Sequence, residues 1–159
     1  MMAKVTVQFP DDVMRKLDKL GKSSDKIVID SLNAAGSPIK QEVLKHYDAI
    51  AGHPQIVKKN GRIYNYGSRM TGFLRRSIGI SPVKPRRTGG YDIKVGFAKA
   101  REPKTGIRCG FLAAIIERGV LNGSRNQPPR PFIKPAEISA KDKAIKAYQE
   151  KFDEEVNKL

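Results

Sequence analysis

Apolar residues recur at helical spacing from residue 27 to residue 50, and this long pattern restricts the fold of the chain more than any other feature. Ile27, Leu32, Val43 and Ile50 are among the residues on this stripe. The spacing predicts an amphipathic helix that ends near residue 51. Pro38 lies in its middle, where proline either kinks a helix or starts a new one. The sequence therefore predicts two helical arms here.

Strands are predicted where apolar residues alternate with polar ones. Val5, Val7 and Phe9 predict a short N-terminal strand, and a helix is predicted to follow it at residues 10–21. A second alternating region predicts an antiparallel hairpin that turns at residues 85–90. Its apolar residues are Ile78, Ile80, Val83, Tyr91, Ile93, Val95 and Phe97. A single domain over residues 1–159 is expected, since this length buries a core without metals or disulfides.

Three further helices are predicted in the second half of the chain. A short capped helix covers residues 71–77, and the apolar run at 111–116 is interpreted as another helix. A proline-rich linker at 127–131 precedes the last helix, which covers about residues 135–157. Its predicted core stripe consists of Ile138, Ile145, Tyr148, Phe152, Val156 and Leu159.

Residues 49–91 contain no Asp or Glu, and we call this region the basic block. The whole chain carries a net charge of +15, and the flanking segments mix both signs, so much of the positive charge is concentrated here. Three interpretations remain open: a solvated face, contact with acidic protein surfaces, and contact with nucleic acid. The candidate partner-facing residues are Lys58, Lys59, Arg62, Arg69, Arg75, Arg76, Lys84, Arg86 and Arg87.

Residues 52–70 show no sustained periodicity, and we interpret them as an exposed basic arm. A stretch of this length without regular structure is more often functional than filler. Tyr64, Tyr66 and Met70 are apolar groups in this otherwise hydrophilic segment. They are equally compatible with docking on another subunit and with anchoring the arm to its own core.

Convergent catalytic groups are not evident in the sequence, so we expect no enzyme, no cofactor and no metal. Cys109 has no histidine after it to act as a base, and His46 and His53 cannot form a usual zinc site unaided. The glycines fit neither a Walker nor a dinucleotide-binding pattern. No apolar run is long enough to cross a bilayer, and we expect synthesis and folding in a cytosolic, reducing environment.

Four short motifs occur in order along the chain. They are Thr-Gly-Phe-Leu-Arg-Arg-Ser-Ile at 71–78, Val-Gly-Phe at 95–97, an apolar run that ends at Glu117 and Gly119, and Arg-Pro-Phe-Ile-Lys-Pro-Ala at 130–136. In this order they resemble the small head–tail connector proteins of long-tailed bacteriophages. The motif at 130–136 is the most specific of the four, and its prolines are expected to hold Phe132 and Ile133 as rigid apolar anchors.

This resemblance implies an α+β fold in which N-terminal helices and a C-terminal helix pack on a central antiparallel sheet. It further implies a non-enzymatic virion protein, assembled in the host cytoplasm as a ring that usually has six subunits. The ring would contact other neck, adaptor or tail-tube proteins at the head–tail junction, with non-specific DNA contact compatible with its charge. The candidate subunit-interface residues are Tyr64, Tyr66, Met70, Glu117, Arg130, Pro131, Phe132 and Ile133.

A second hypothesis rests on charge alone. The chain could be a basic nucleic-acid-binding module of the cytosol, in which Lys and Arg release counterions from phosphates and tyrosines stack on bases. This hypothesis predicts an affinity for DNA that falls steeply with salt, and it assigns Arg86 and Arg87 to phosphate contact.

Overall fold

The computed structural model describes residues 23–51, 56–65, 71–103, 105–120 and 128–158. The predicted N-terminal strand and the helix at 10–21 lie outside these residues. Within them, helices combine with antiparallel strand pairs, so the α+β class is confirmed.

The longest element is helix α1, Ser23–Ala51, which runs without a break through Pro38. The prediction of two helical arms is therefore wrong. Ala35 and Ile39 lie on either side of the proline, and both are buried in the core. Packing of this face compensates for the backbone hydrogen bond that proline cannot donate, so the tertiary environment overrides the local signal.

Gly36 lies on α1 at a close contact with the strand region. A β-carbon at this position would lie 3.0 Å from side-chain carbons of both Ile80 and Ile93. Glycine therefore serves close packing between helix and strands here, although in the sequence it resembles part of a helix break.

The strands form three antiparallel pairs. Strand β1, Ile56–Lys59, pairs with β2, Arg62–Asn65. After the short helix α2, Gly72–Arg76, come β3, Ile78–Ile80, β4, Lys84–Pro85, β5, Tyr91–Asp92, and β6, Val95–Phe97. Strand β3 pairs with β6 and β4 pairs with β5, which confirms the predicted hairpin and its turn. The predicted cap of α2 is also present, since the Thr71 hydroxyl accepts a bond from the Leu74 amide at 3.1 Å.

Two helices complete the fold, and both confirm predicted elements. Helix α3 spans Cys109–Arg118, and helix α4 spans Ile133–Val156. Helix α4 packs antiparallel to α1, because Val28 near the start of α1 shares a hydrophobic cluster with Tyr148 near the end of α4. A second cluster joins the end of α1 to α2, α3 and the start of α4 around Phe132.

The buried stripe of α4 differs from the predicted one. Ala136, Ala140, Ala144 and Tyr148 are buried at intervals of four residues, whereas Ile138 is 71% exposed. Alanine lets the backbones of α4 and α1 approach closely, so the core face of this helix carries little side-chain volume. The prediction that Ile138 faces the core is wrong. The prediction placed the large apolar side chains on the core face, whereas the alanines occupy that face.

Candidate partner-binding surface

The basic block is distributed over two hairpins and the helix between them. Lys58 and Lys59 lie on β1, Arg62 on β2, Arg75 and Arg76 on α2, Lys84 on β4, and Arg86 and Arg87 in the turn before β5. Arg69 lies outside the described residues. The described part of the block therefore consists of short, turn-rich elements.

The first of these elements is the β1–β2 hairpin, which occupies part of the predicted arm. The expectation of no regular structure is wrong for residues 56–65. Asn60 and Gly61 form the turn with φ angles of 53° and 72°, a combination typical of a two-residue type I′ turn. The Asn-Gly pair between two short strands is the signal that could have predicted this hairpin. Lys58 is paired with Ile63 in the register, and both residues are exposed.

The second basic hairpin also ends in a glycine turn. Gly89 and Gly90 have φ angles of 87° and 79°, which other residues rarely adopt. The Arg86 amide donates to the Gly90 carbonyl at 2.9 Å, and this bond closes the turn. Arg87 is exposed at the tip and Arg86 is half-buried. The turn therefore holds two guanidinium groups at the end of a fixed hairpin.

Arg75 differs from the other cations of the block whose side chains are described, because it has a carboxylate partner. Its Nε and Nη2 atoms donate to the two carboxylate oxygens of Asp48 at 2.7 Å and 2.8 Å. These bonds from Arg75 lower the pKa of Asp48 below its usual value. The bidentate pair ties α2 to the end of α1, so we assign Arg75 to the fold.

The remaining cations with described side chains have no such partner. Lys58, Arg76, Lys84 and Arg87 are exposed, Arg86 is half-buried, and none forms a salt bridge with a carboxylate in the part of the chain described here. Unpaired positive charge on neighbouring elements produces a field that attracts anions or acidic surfaces. This surface is the part of the basic block that is suited to a partner.

Glu117 has a structural role within its own chain. Its carboxylate accepts bonds from the backbone amides of Phe132, Ile133 and Lys134 at 2.7 Å, 2.8 Å and 3.0 Å. These amides begin α4, where unpaired N–H groups and the positive helix end favour a carboxylate. The end of α3 thus caps α4, and the motif at Glu117 is physically joined to the motif at 130–136.

Arg130 and Phe132 complete the same junction. The Arg130 guanidinium donates to the carbonyl of Ile50 at 2.8 Å, at the end of α1. Phe132 is 0% exposed and makes edge-to-face contacts with Tyr47 and Phe97, at ring distances of 5.4 Å and 6.2 Å. The expected anchoring of Phe132 is thus met by its own chain. It can support a subunit interface only indirectly, by holding its neighbours in place.

The other predicted interface residues are less enclosed or lie outside the description. Pro131 is exposed and Ile133 is half-buried beside Phe132. Tyr64 belongs to β2, and its side chain is outside the described part. Tyr66 and Met70 also lie outside it. The subunit-interface roles of all these residues stay predictions.

Groups considered for catalysis or metal binding are placed as follows. Cys109 is fully buried at the start of α3. The His46 ring lies 3.2 Å from the Ser139 hydroxyl and 3.8 Å from Glu42, whereas His53 is outside the described residues. Among the residues described, no group of three or more potential metal ligands occurs, and no helix is long and apolar enough to span a membrane.

Comparison with known families gives one match. The family model of HK97-gp10-like bacteriophage tail components matches residues 11–103. This range contains the basic block and the motifs at 71–78 and 95–97, whereas the Glu117 and Arg130 motifs lie beyond it. No curated protein and no solved structure matches the chain significantly.

Proposed function

Because the chain belongs to the HK97-gp10-like family of bacteriophage tail components, we propose that it forms a ring of six subunits that joins the head to the tail. The ring lies in the neck or at the top of the tail and surrounds the DNA path. The observation that carries this proposal is the unpaired basic surface on the two hairpins and α2, displayed by a member of a structural tail family.

Charge supports a position next to DNA or an acidic ring. The chain carries a net charge of +15, so six copies would bring together roughly +90 before counterions bind. Such a ring requires screening or an anionic partner, and low salt would disfavour its assembly from subunits alone. Packaged DNA and acidic neck or tail proteins both supply the required charge.

A ring also needs two different surfaces on each subunit, because each copy contacts the next head to tail. The β1–β2 hairpin supplies one candidate, with Ile63 72% exposed on it. The region around Pro131 and Ile133 supplies the other, held in place by Phe132 and the cap from Glu117. These two surfaces are our assignment for the subunit contact.

A structural and not a catalytic role follows from the same reasoning. Cys109 is the single cysteine of the chain and its one candidate thiol nucleophile, and this thiol is fully buried. Replacement of Cys109 by serine should leave assembly and infectivity intact. A loss of infectivity with normal assembly would instead indicate chemistry at this thiol.

The direct test locates the protein in the virion. We expect antibody labelling or cryo-electron microscopy to place it at the head–tail junction, and native mass measurement at moderate salt to show six subunits. A purified chain that stays monomeric in the presence of neck proteins, or density elsewhere in the particle, would contradict the proposal.

The second candidate function is a basic nucleic-acid-binding module, favoured by the same unpaired cations. It predicts that replacement of Arg86 and Arg87 by serine reduces the slope of log affinity against log salt by about 0.9 for each phosphate that these side chains neutralise. The matched control replaces Lys141 and Lys146, which lie exposed on α4. An unchanged slope in the Arg86 and Arg87 variant would reject this function.

A further inference from the structure

A groove of about 400 Å³ runs along the β3–β6 ladder and is distinct from the basic hairpin tips. Its lining includes Gly79, Gly96, Gly110, Lys94 and Lys99. Gly79 is the register partner of Gly96. Side chains alternate between the two faces of a strand. Ile78 and Val95, each next to one of these glycines in sequence, are buried on the core face. The glycine pair therefore lies on the face that points away from the core. At this glycine pair the outer surface of the β3–β6 ladder is therefore bare backbone.

The chain itself does not require glycine at positions 79 and 110. Neither Gly79 nor Gly110 has a left-handed φ, and a β-carbon at either would meet nothing within 4 Å. Gly36 provides the contrast, since a β-carbon there would meet Ile80 and Ile93 at 3.0 Å. Glycine weakens both a strand interior and a helix, and inside a strand it often marks close approach of another backbone.

The charge around the groove is positive. Lys94 and Lys99 are exposed on its wall, and no carboxylate lines it. Lys94 lies 3.7 Å from Asp92, so it is partly neutralised. Lys99 forms no salt bridge with any carboxylate in the described ranges, and the exposed Arg108 lies two residues before Gly110. An occupant of this groove should therefore carry negative charge.

We propose that the groove binds an extended acidic segment of another protein, with apolar side chains on the glycine floor and carboxylates paired with Lys94 and Lys99. The inference rests on the proposed function only for the source of the segment, a neighbouring virion protein. The groove has room for a few side chains and not for a DNA duplex. The β1–β2 hairpin of a second copy carries Lys58 and Lys59, which like-charge repulsion disfavours here.

A display library of random nine-residue peptides, selected on the immobilised full chain, tests this proposal. Enriched peptides should combine an apolar residue with Asp or Glu, and Gly79→Leu should weaken their binding at least tenfold by filling the floor. Lys99→Glu should weaken it by a similar factor without touching the packing. Lys141→Glu makes the same charge change on the exposed surface of α4 and should bind like wild type. Thermal unfolding checks that each variant is folded.

Several outcomes would overturn the proposal. Peptides that bind wild type and Gly79→Leu equally would exclude the groove as their binding site, and a basic consensus would exclude an acidic occupant. Binding of duplex DNA that Gly79→Leu abolishes would assign the groove to nucleic acid. Self-association that Gly79→Leu abolishes would assign it to a second copy. Peptide binding is measured on the purified chain, so its failure leaves the position of the protein in the virion to be tested separately.

Discussion

Helix α4 and the basic block are both rich in cations, but they differ in what neutralises the charge. On α4, Lys143 pairs with Glu42 at 2.5 Å, and Lys151 pairs with Glu155 at 2.8 Å. In the basic block, Arg75 is the one cation with a salt bridge among those whose side chains are described. A surface suited to a partner is therefore recognised by the absence of internal pairing and not by its number of lysines and arginines.

The pairing on α4 serves the fold. Glu42 is almost fully buried on α1 and accepts bonds from Lys143 and from the Ser139 hydroxyl. The bond from Lys143 is the largest cause of the lowered pKa of Glu42, and burial opposes it. These contacts link the two long helices. The hairpin cations whose side chains are described form no salt bridge that would link elements of the fold in this way.

The largest expected effect is on stability, and it distinguishes a substitution in the core from one on the exposed β1–β2 hairpin. Phe132→Ala should lower the free energy of unfolding by about 3–5 kcal/mol, because it removes a wholly buried ring from the junction of α1, α3 and α4. Urea denaturation measures it. Ile63→Ala on the exposed hairpin should stay within about 0.5 kcal/mol of wild type. A small effect at Phe132 would show that the junction is not the core of this chain.

A smaller effect is expected at the carboxylate that caps α4. Glu117→Gln keeps the size of the side chain but removes the charge that faces three backbone amides, so we expect a loss of about 1–2 kcal/mol in the free energy of unfolding. Glu137→Gln, on the exposed surface of the first turns of α4, is the matched control. Equal losses in the two variants would mean that the cap contributes nothing specific.

Much of the fold could be predicted from local patterns, and the errors have physical causes. The cap at Thr71 and the alternation at 78–97 are local signals, and both elements form as predicted. Pro38 and Gly36 mislead a local prediction because their role depends on the sheet and on α4, which are distant in sequence. The alanine stripe of α4 escapes prediction because hydrophobic size is a stronger signal in the sequence than close approach of two backbones.

The candidate site was less predictable than the fold. Composition locates the basic block, but the sequence does not distinguish Arg75 from Arg76, since only the fold brings Asp48 to one of them. Glu117 and Arg130 stand out as motif residues, yet their hydrogen bonds to α4 and α1 join segments that the sequence does not connect. The short motifs single out these residues in the sequence, and the structure shows which hydrogen bonds they form.

Arg75 and Arg76 allow the comparison to be tested with neighbouring residues of one type. Arg76→Ser should reduce the slope of log affinity for duplex DNA against log salt by about 0.9, if this guanidinium contacts one phosphate. Arg75→Ser should change that slope less, because Asp48 already holds the guanidinium, and should instead lower the stability slightly. Salt titrations by fluorescence anisotropy and urea denaturation measure both quantities. Identical binding defects would break the distinction between paired and unpaired cations.

The smallest expected effect concerns acid pH. Bonds from Lys151 and then Lys158 lower the pKa of Glu155 from 4.5 to about 2. A carboxyl whose pKa is depressed by folding stabilises the protein above its unfolded pKa and loses this contribution as pH falls through the folded value. The melting temperature of wild type should therefore decrease as the pH is lowered from about 4.5 to about 2. The melting temperature of Glu155→Gln should decrease less over the same range.

Two controls complete the acid titration. Glu137→Gln, at an exposed position on the same helix, should keep the wild-type dependence on pH. Replacement of Lys84 and Arg87 by glutamine should leave the shape of the curve unchanged, because neither side chain forms a salt bridge with a carboxylate in the described residues. If these hairpin substitutions flattened the acid limb, their cations would be paired with carboxylates in the folded chain. That result would remove the difference between the two regions on which the proposed partner surface depends.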